Sequence, residues 1–338
     1  MSLLAASAIP DLTKMGELLA TDPDIIHERD AETNASPLHY AAQTGSLAAV
    51  ELLLQHGHPW NEVTFTHKTA AEFALAQGHN HIWDRLLNEG IRVEMLLAIL
   101  GKGEQDSDTL DLDEETKAKL LPVDASDYLN KKLTYSEDGS KLLDEDGNGV
   151  MMGWEAPLME RHAMVIAPAP GKSVLNVGFG LGIIDTYLQE RGVAQHTIIE
   201  AHPDVYAFML KQGWDKKPGV KILFGRWQDV VDQLEVYDGI FFDTFGEDYD
   251  ALKEFHELLP NILAEDGIYS YFNGLSGSNP FFHEVSCAIC ESDLQDMGIE
   301  TSIEKIDMGS LGDEVWDGVR RAYWTLPIYN LPTCLFSM

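Results

Sequence analysis

Two folds in tandem are predicted for this 338-residue chain. An all-α repeat module over residues 1–100 is followed by an acidic linker at 101–117. An α/β domain with a mostly parallel sheet then spans 118–338. Three observations lead there. A short pattern near the N-terminus recurs at a fixed period. Strand-length apolar runs alternate with amphipathic stretches from about residue 150, and the first of those runs ends in a glycine-rich turn.

The repeat comes first in the chain. Ser36-Pro37-Leu38-His39-Tyr40-Ala41-Ala42 matches the T-P-L-H-x-A-A opening of an ankyrin unit, and Thr69-Ala70-Ala71-Glu72-Phe73-Ala74 is a degraded copy one repeat length later in the same register. Gly45, Leu53, Leu54 and Gly57 map onto Gly78, Leu86, Leu87 and Gly90 at the same offset. Leu18 and Leu19 mark a weaker unit before them. Small Ala41 and Ala42 let helices approach closely and the Leu-Leu pairs face a neighbouring unit, while the glycines are expected to end the helices in a left-handed conformation. Two to three such repeats form a module that binds protein or braces the next domain.

Residues 101–117 are rich in acids and poor in large apolar groups, as a linker or solvated loop is. Lys132–Tyr135 and Lys141–Leu143 flank Glu137-Asp138-Gly139, which predicts a hairpin. The run Asp144–Gly149 has carboxylates out of calcium-loop register and no closing glutamate, so it is read as a turn.

Strands are expected at Ser173–Val177, Thr197–Glu200, Val220–Phe224, Gly239–Asp243 and Gly267–Phe272, with helices such as Ile184–Arg191 and Asp204–Gln212 between them. Ile299–Ile306 and Arg321–Tyr329 lack a helix between them and predict a terminal antiparallel pair.

The first strand runs into Gly178-Phe179-Gly180-Leu181-Gly182. Glycine suits a turn where backbone passes close to a ligand. The spacing is G-x-G-x-G, and Ile183 occupies the position where a dinucleotide site has its last glycine. Glu200 ends the next strand, at the distance beyond the glycine turn where an acid can accept hydrogen bonds from both hydroxyls of a ribose. Gly225-Arg226-Trp227-Gln228 ends the third strand with a small residue and an aromatic that could hold an adenine. Asp243 ends the fourth, at the sheet edge where ligands bind in this class.

Taken together, Val150–Met159, Val174–Gly182, Gly225–Val230 and Asp238–Thr244 resemble the guanidinoacetate N-methyltransferase family. With ankyrin repeats in front, the chain is similar to a fungal branch, the type IV protein arginine N5-methyltransferases. The resemblance implies a Rossmann-like class I methyltransferase fold with a mostly parallel seven-stranded sheet. It implies S-adenosyl-L-methionine as cofactor, and Glu155 and Asp243 as the catalytic acids that grip a guanidinium. Cofactor contacts would come from Tyr128 and Met159, from Gly178, Phe179, Gly180, Leu181, Gly182 and Ile183, from Glu200, Ala201 and His202, and from Gly225, Arg226, Trp227, Gln228 and Asp243. The small-molecule members carry Leu-Trp-Glu where this chain has Arg226-Trp227-Gln228. The implied reaction is methylation of the δ nitrogen of a protein arginine, and the implied acceptor a basic ribosomal protein of the large subunit.

Composition narrows the alternatives. With 56 acidic and 23 basic residues the formal charge is −33, which repels nucleic acid and anionic lipid and attracts basic partners. No apolar run approaches a membrane span and no secretory pattern opens the chain. Three cysteines give no disulfide framework. Cys287 and Cys290, with His283 a turn earlier, lack a fourth ligand, so no metal is expected. The cytoplasm is the default compartment, with nuclear entry left open. A small guanidino metabolite as acceptor, a non-catalytic ankyrin adaptor and a nicotinamide oxidoreductase stand as the other readings.

Overall fold

The computed structural model describes residues 1–99, 127–246 and 249–337. The predicted linker 101–117 lies outside them. The chain divides into two compact units, Met1–Asp108 with Asn279–Ile289, and Thr109–Ser278 with Cys290–Met338.

Three helix pairs build the first unit: α1 Leu3–Ala8 and α2 Leu12–Thr21, α3 Pro37–Gln43 and α4 Leu47–Gln55, α5 Ala70–Ala76 and α6 Asn80–Ile99. Ala41, Ala42, Ala70 and Ala71 are buried where α3 packs against α5. His39, the histidine of the repeat signature, joins successive repeats. Its Nδ1 accepts from Ser36 N (3.1 Å), and its Nε2 lies 3.0 Å from the Lys68 carbonyl, to which it donates in that tautomer. In the next repeat Thr69 and Glu72 form a reciprocal cap, Thr69 N donating to Glu72 Oε2 (2.9 Å) and Glu72 N to Thr69 Oγ1 (3.3 Å).

Gly45, Gly57 and Gly78 take positive φ and close helices as expected. Gly90 does not. It lies inside α6, which runs on to Ile99, and a Cβ there would come within 2.8 Å of the Trp60 ring. Close packing rather than a helix end fixes glycine at that position. The core of this unit includes Phe281 and Val285, with Phe281 edge-on to Trp60 and Trp83.

The second unit opens with a three-stranded antiparallel meander, β1 Thr134–Tyr135, β2 Lys141–Leu143 and β3 Gly149–Met152. The predicted hairpin is its first half. Asp144 Oδ1 accepts from Asp146 N and Asn148 N, which makes 144–148 the turn into β3. A 3₁₀ turn, Gly153–Glu155, leads into α7 Ala156–Ile166.

The main sheet follows: β4 Ser173–Val177, β5 Gln195–Glu200, β6 Val220–Phe224, β7 Tyr237–Phe242, β8 Leu263–Tyr271, β9 Ile299–Asp307 and β10 Ile328–Phe336. Its order is β6-β5-β4-β7-β8-β10-β9, with the first five parallel and β10 antiparallel to both neighbours. This is the predicted Rossmann-like class I methyltransferase arrangement. The intervening helices include α8 Ile183–Glu190, α9 Pro203–Lys211, α10 Trp227–Val230, α11 Tyr249–His256, α12 Leu259–Ile262 and α13 Pro280–Asp296.

One strand departs from expectation. The last strand is Ile328–Phe336, not Arg321–Tyr329. Residues 321–327 are a loop held by local and long-range contacts: Trp324 is buried with its Nε1 donating to Leu326 O at 2.8 Å, and Thr325 N donates to Gly277 O at 2.9 Å. Their apolar content comes from packing in the loop rather than from a place in the sheet.

Candidate active site

The carboxyl ends of β4, β5, β6 and β7 converge on one cavity of about 650 Å³. The strand ends are laced together by backbone hydrogen bonds. Gly178 N donates to Ile199 O, Gly225 N to Glu200 O and Asp243 N to Val177 O, each at 2.9 Å. Gly178 must be glycine on two counts. Its φ is +94°, and a Cβ would lie 1.9 Å from the Asp243 carbonyl oxygen. Loop and acid are therefore interlocked.

Glu200 is almost fully buried and accepts from Phe179 N (3.0 Å) and His202 N (2.6 Å). Burial pushes its carboxyl up, and these backbone donors pull it back. Each oxygen keeps lone-pair capacity toward the cavity, so a diol could still be accepted. Trp227, buried against Phe242 and Phe255, contributes an aromatic face. Asn176 braces the glycine loop from below, its Nδ2 reaching Gly178 O (2.8 Å) and both oxygens of Asp185.

Glu155 and Asp243 line the same cavity. Glu155 is 3% exposed. Its Oε1 accepts from Met152 N (2.8 Å) and from the Tyr323 hydroxyl. Burial and then the charge of Asp243 push Glu155 well above the usual carboxylate range, against the pull of Tyr323 and Met152. Burial raises Asp243 likewise. Neither acid makes an ion pair among the described residues. The helix behind Glu155 is fixed by a chain of polar contacts. Asn273 N donates to Tyr329 Oη (2.8 Å), Tyr329 Oη lies 2.9 Å from His162 Nε2, and His162 Nδ1 lies 2.8 Å from Ser270 Oγ. Since Ser270 Oγ donates to Pro332 O, it accepts from His162 Nδ1–H, and Tyr329 then donates to Nε2. Burial holds His162 neutral, down at about 3.

Of the residues predicted for the site, Glu155, Asp243, Tyr128, Gly178, Phe179, Gly180, Glu200, Ala201, Gly225, Arg226 and Trp227 line the cavity. Met159, Leu181, Gly182, Ile183, His202 and Gln228 do not. Met159 is fully buried in the core beneath, in one cluster with Met151 and Phe179. Gln228 Oε1 is buried without a hydrogen bond among the described residues. His202 ties down the segment over the cavity: Nδ1 accepts from Asp204 N, Nε2 donates to Lys131 O, and the ring packs on Tyr128 at 4.9 Å.

Tyr323 and Arg321 also line the cavity, although the sequence pattern places both in a strand. Met151 is a further addition: its Sδ accepts from Leu181 N at 3.2 Å. An aromatic-basic cluster just before the last strand is the available signal for the first two. Among the described residues, no group of three or more His, Cys, Asp and Glu side chains is arranged for a metal, and no helix is long and apolar enough to cross a membrane.

The sequence has counterparts among known proteins. The family model for guanidinoacetate N-methyltransferase matches residues 125–307, and that for ankyrin repeats in three copies matches 3–95. A protein arginine N-methyltransferase 2 from Aspergillus oryzae is 34% identical, covering 99% of this chain and 96% of its own. Its namesake from Cryptococcus neoformans is 39% identical over 92% of this chain and 88% of its own. The Yarrowia lipolytica protein of that name reaches 42% over 62% of this chain and 47% of its own.

Proposed function

Because the chain belongs to the guanidinoacetate N-methyltransferase family, and to its ankyrin-bearing fungal group named protein arginine N-methyltransferase 2, we propose that it methylates a protein arginine on the δ nitrogen. It is a protein arginine methyltransferase; the nitrogen, the donor and the acceptor are the proposed part. The observation that carries the proposal is the pair Glu155, buried, and Asp243, half-buried, in one cavity with the glycine loop and without an ion pair among the described residues. Two carboxylates raised by burial, Glu155 also by the charge of Asp243, constitute a site that gains from a cation. Guanidinium is planar, stays charged at any working pH and presents its N–H groups in a fork that carboxylates match.

The grip also selects the nitrogen. Two acids holding the terminal nitrogens draw positive charge toward them and leave the internal nitrogen the more nucleophilic. In a substituted guanidine such as an arginine side chain, that nitrogen is δ. Its N–H proton must leave as the new N–C bond forms, and Asp243 or Glu155, each raised toward neutrality, is a competent acceptor.

S-adenosyl-L-methionine is the proposed donor, and it would supply an electrophilic methyl on a sulfonium. The residues present fit it. Glu200 keeps acceptor capacity for a ribose diol, Trp227 and Ile199 give an apolar wall, and the glycine loop exposes backbone. This chain's part is positioning and exclusion of water, which in-line displacement chiefly needs. The acceptor is proposed to be a basic ribosomal protein of the large subunit, drawn by the chain's net charge of −33 and engaged in the cytoplasm, where the repeats offer a surface for it.

The test is transfer of labelled methyl from S-adenosyl-L-methionine to ribosomal proteins of cells lacking the enzyme, then fragmentation of the labelled arginine. Label on the δ nitrogen is expected; label on a terminal nitrogen overturns the regiochemistry. A second reading has one observation in its favour. Arg321 brings a cation to the cavity, where the carboxylate of a small guanidino acid could meet it. Methylation of guanidinoacetate, with no labelled protein, would establish that reading instead.

A further inference from the structure

Glu155 is held unevenly. Both of its hydrogen bonds, from Met152 N and from the Tyr323 hydroxyl, fall on Oε1, and none falls on Oε2 among the described residues. The Tyr323 ring is itself fixed. It lies 5.1 Å from Trp316 and 5.7 Å from Trp154, and a Cβ on Gly149 would come within 2.9 Å of it. It reaches Glu155 from the loop before β10, across 168 residues of sequence.

We propose that Tyr323 is the positioning residue of this site, its hydroxyl fixing Glu155 by Oε1 so that Oε2 meets the acceptor guanidinium in ionised form. The inference rests on Glu155 as a guanidinium ligand. A carboxylate beside a second acid ionises more readily with a donor on it; Glu155 stays raised with Tyr323 in place, and the arriving cation completes the ionisation that the donor eases. The Tyr323 hydroxyl is a neutral donor that leaves the site's net charge untouched. The titratable groups that share the cavity with Glu155 are Asp243 at the end of β7, Tyr323 and Arg321 from the loop before β10, Glu200 at the end of β5, Arg226 after β6, and Tyr128. Asp243 pushes Glu155 up, and Tyr323 pulls it down. Burial and the Glu155 charge hold the Tyr323 hydroxyl protonated, so it remains a donor through the working range.

The test is the pH profile of kcat/KM for the acceptor in Tyr323→Phe, which keeps the ring and loses the donor. The acid limb is expected to move up by about one pH unit, the size expected for one hydrogen bond to a charged group. Acceptor KM should rise about tenfold at pH 7, which is the same unit expressed as a ratio, while cofactor affinity stays within about twofold. An unmoved acid limb would show that Tyr323 only packs, and would overturn the proposal. Should Tyr323→Phe fail to fold, 3-fluorotyrosine at 323 keeps the shape and strengthens the donor. The limb must then move down, and an unchanged profile is equally fatal. Glu155→Gln separates the two ideas. If it leaves acceptor KM intact, Glu155 is no guanidinium ligand and the underlying function fails. If it is damaging, adding Tyr323→Phe to it should cost nothing further.

Discussion

In the repeat unit, Glu72 is buried yet fully employed: Oε1 meets Lys68 Nζ at 2.8 Å, and Oε2 accepts from Thr69 N and from Asn279 Nδ2. At the cavity of the second unit, Glu155 is buried more deeply, has both donors on one oxygen, and is repelled by Asp243. Glu72 closes a helix end, so its partners are built in and folding satisfies it. Glu155 and Asp243 keep a deficit that a cation would relieve. A buried acid whose partners are complete supports the fold, while one left short marks where something is to bind.

The sharpest way to break this comparison is to neutralise the acids. Glu155→Gln or Asp243→Asn should lower turnover by about 10²–10³, the order seen when one preorganised electrostatic contact is lost. Yet both should raise the melting temperature of the ligand-free protein, because the repulsion between a buried and a half-buried acid is relieved. Both acids are raised in the folded state, so their cost is absent below the ordinary carboxylate range and grows as pH rises through it. The gain in melting temperature should therefore be present at neutral pH and vanish in acid. Lower activity combined with lower stability would place these acids beside Glu72 as structural groups.

Buried histidines provide the next test, with the opposite sign. His58, His162 and His256 are held down at about 3 and His39 at about 4, all chiefly by burial. The unfolded chain takes up these protons near pH 6.5 and the folded chain does not, so their contribution is complete above about 6.5 and is lost as pH falls toward 3. Denaturant titrations at pH 7.5 and pH 5 should show unfolding free energy falling by at most about 2 kcal/mol per histidine. Stability flat over that interval would mean the imidazoles are not held neutral.

The smallest expected effect is at the repeat cap. Thr69→Ala removes one reciprocal bond at the start of α5 and should cost about 1 kcal/mol in thermal or chemical unfolding. It should leave the pH profile of methyl transfer in place. A shifted profile would mean that repeat and cavity are not as separate in their chemistry as their polar groups suggest.

Much of the molecule is legible from local pattern. The repeat signature, the glycine turn and the order of strand-end motifs each depend on residues close in sequence, and each stands where the pattern puts it. Glu155 and Asp243 are found through resemblance to a family, since an acid before a helix and an acid after a strand are common. What escapes depends on distant partners. Arg321–Tyr329 has the apolar content of a strand, but Trp324 uses it in a loop core and Tyr323 in a contact with Glu155. Gly90 is where a helix-ending glycine should be by its period, but Trp60, from a loop well before it in the chain, sets the requirement there. Met159, in the first turn of the helix that follows Glu155, turns inward to the core. Periodicity indicates that a face is apolar without saying what covers it.

The first residues of α13 complete a core begun at the other end of the chain. Phe281 and Val285 belong to the repeat unit's core, although in sequence they stand far beyond the last repeat helix, with most of the main sheet in between. The repeat unit's core is therefore incomplete until chain that follows five strands of the main sheet has been made, so the N-terminal third of the protein should not reach its full stability alone.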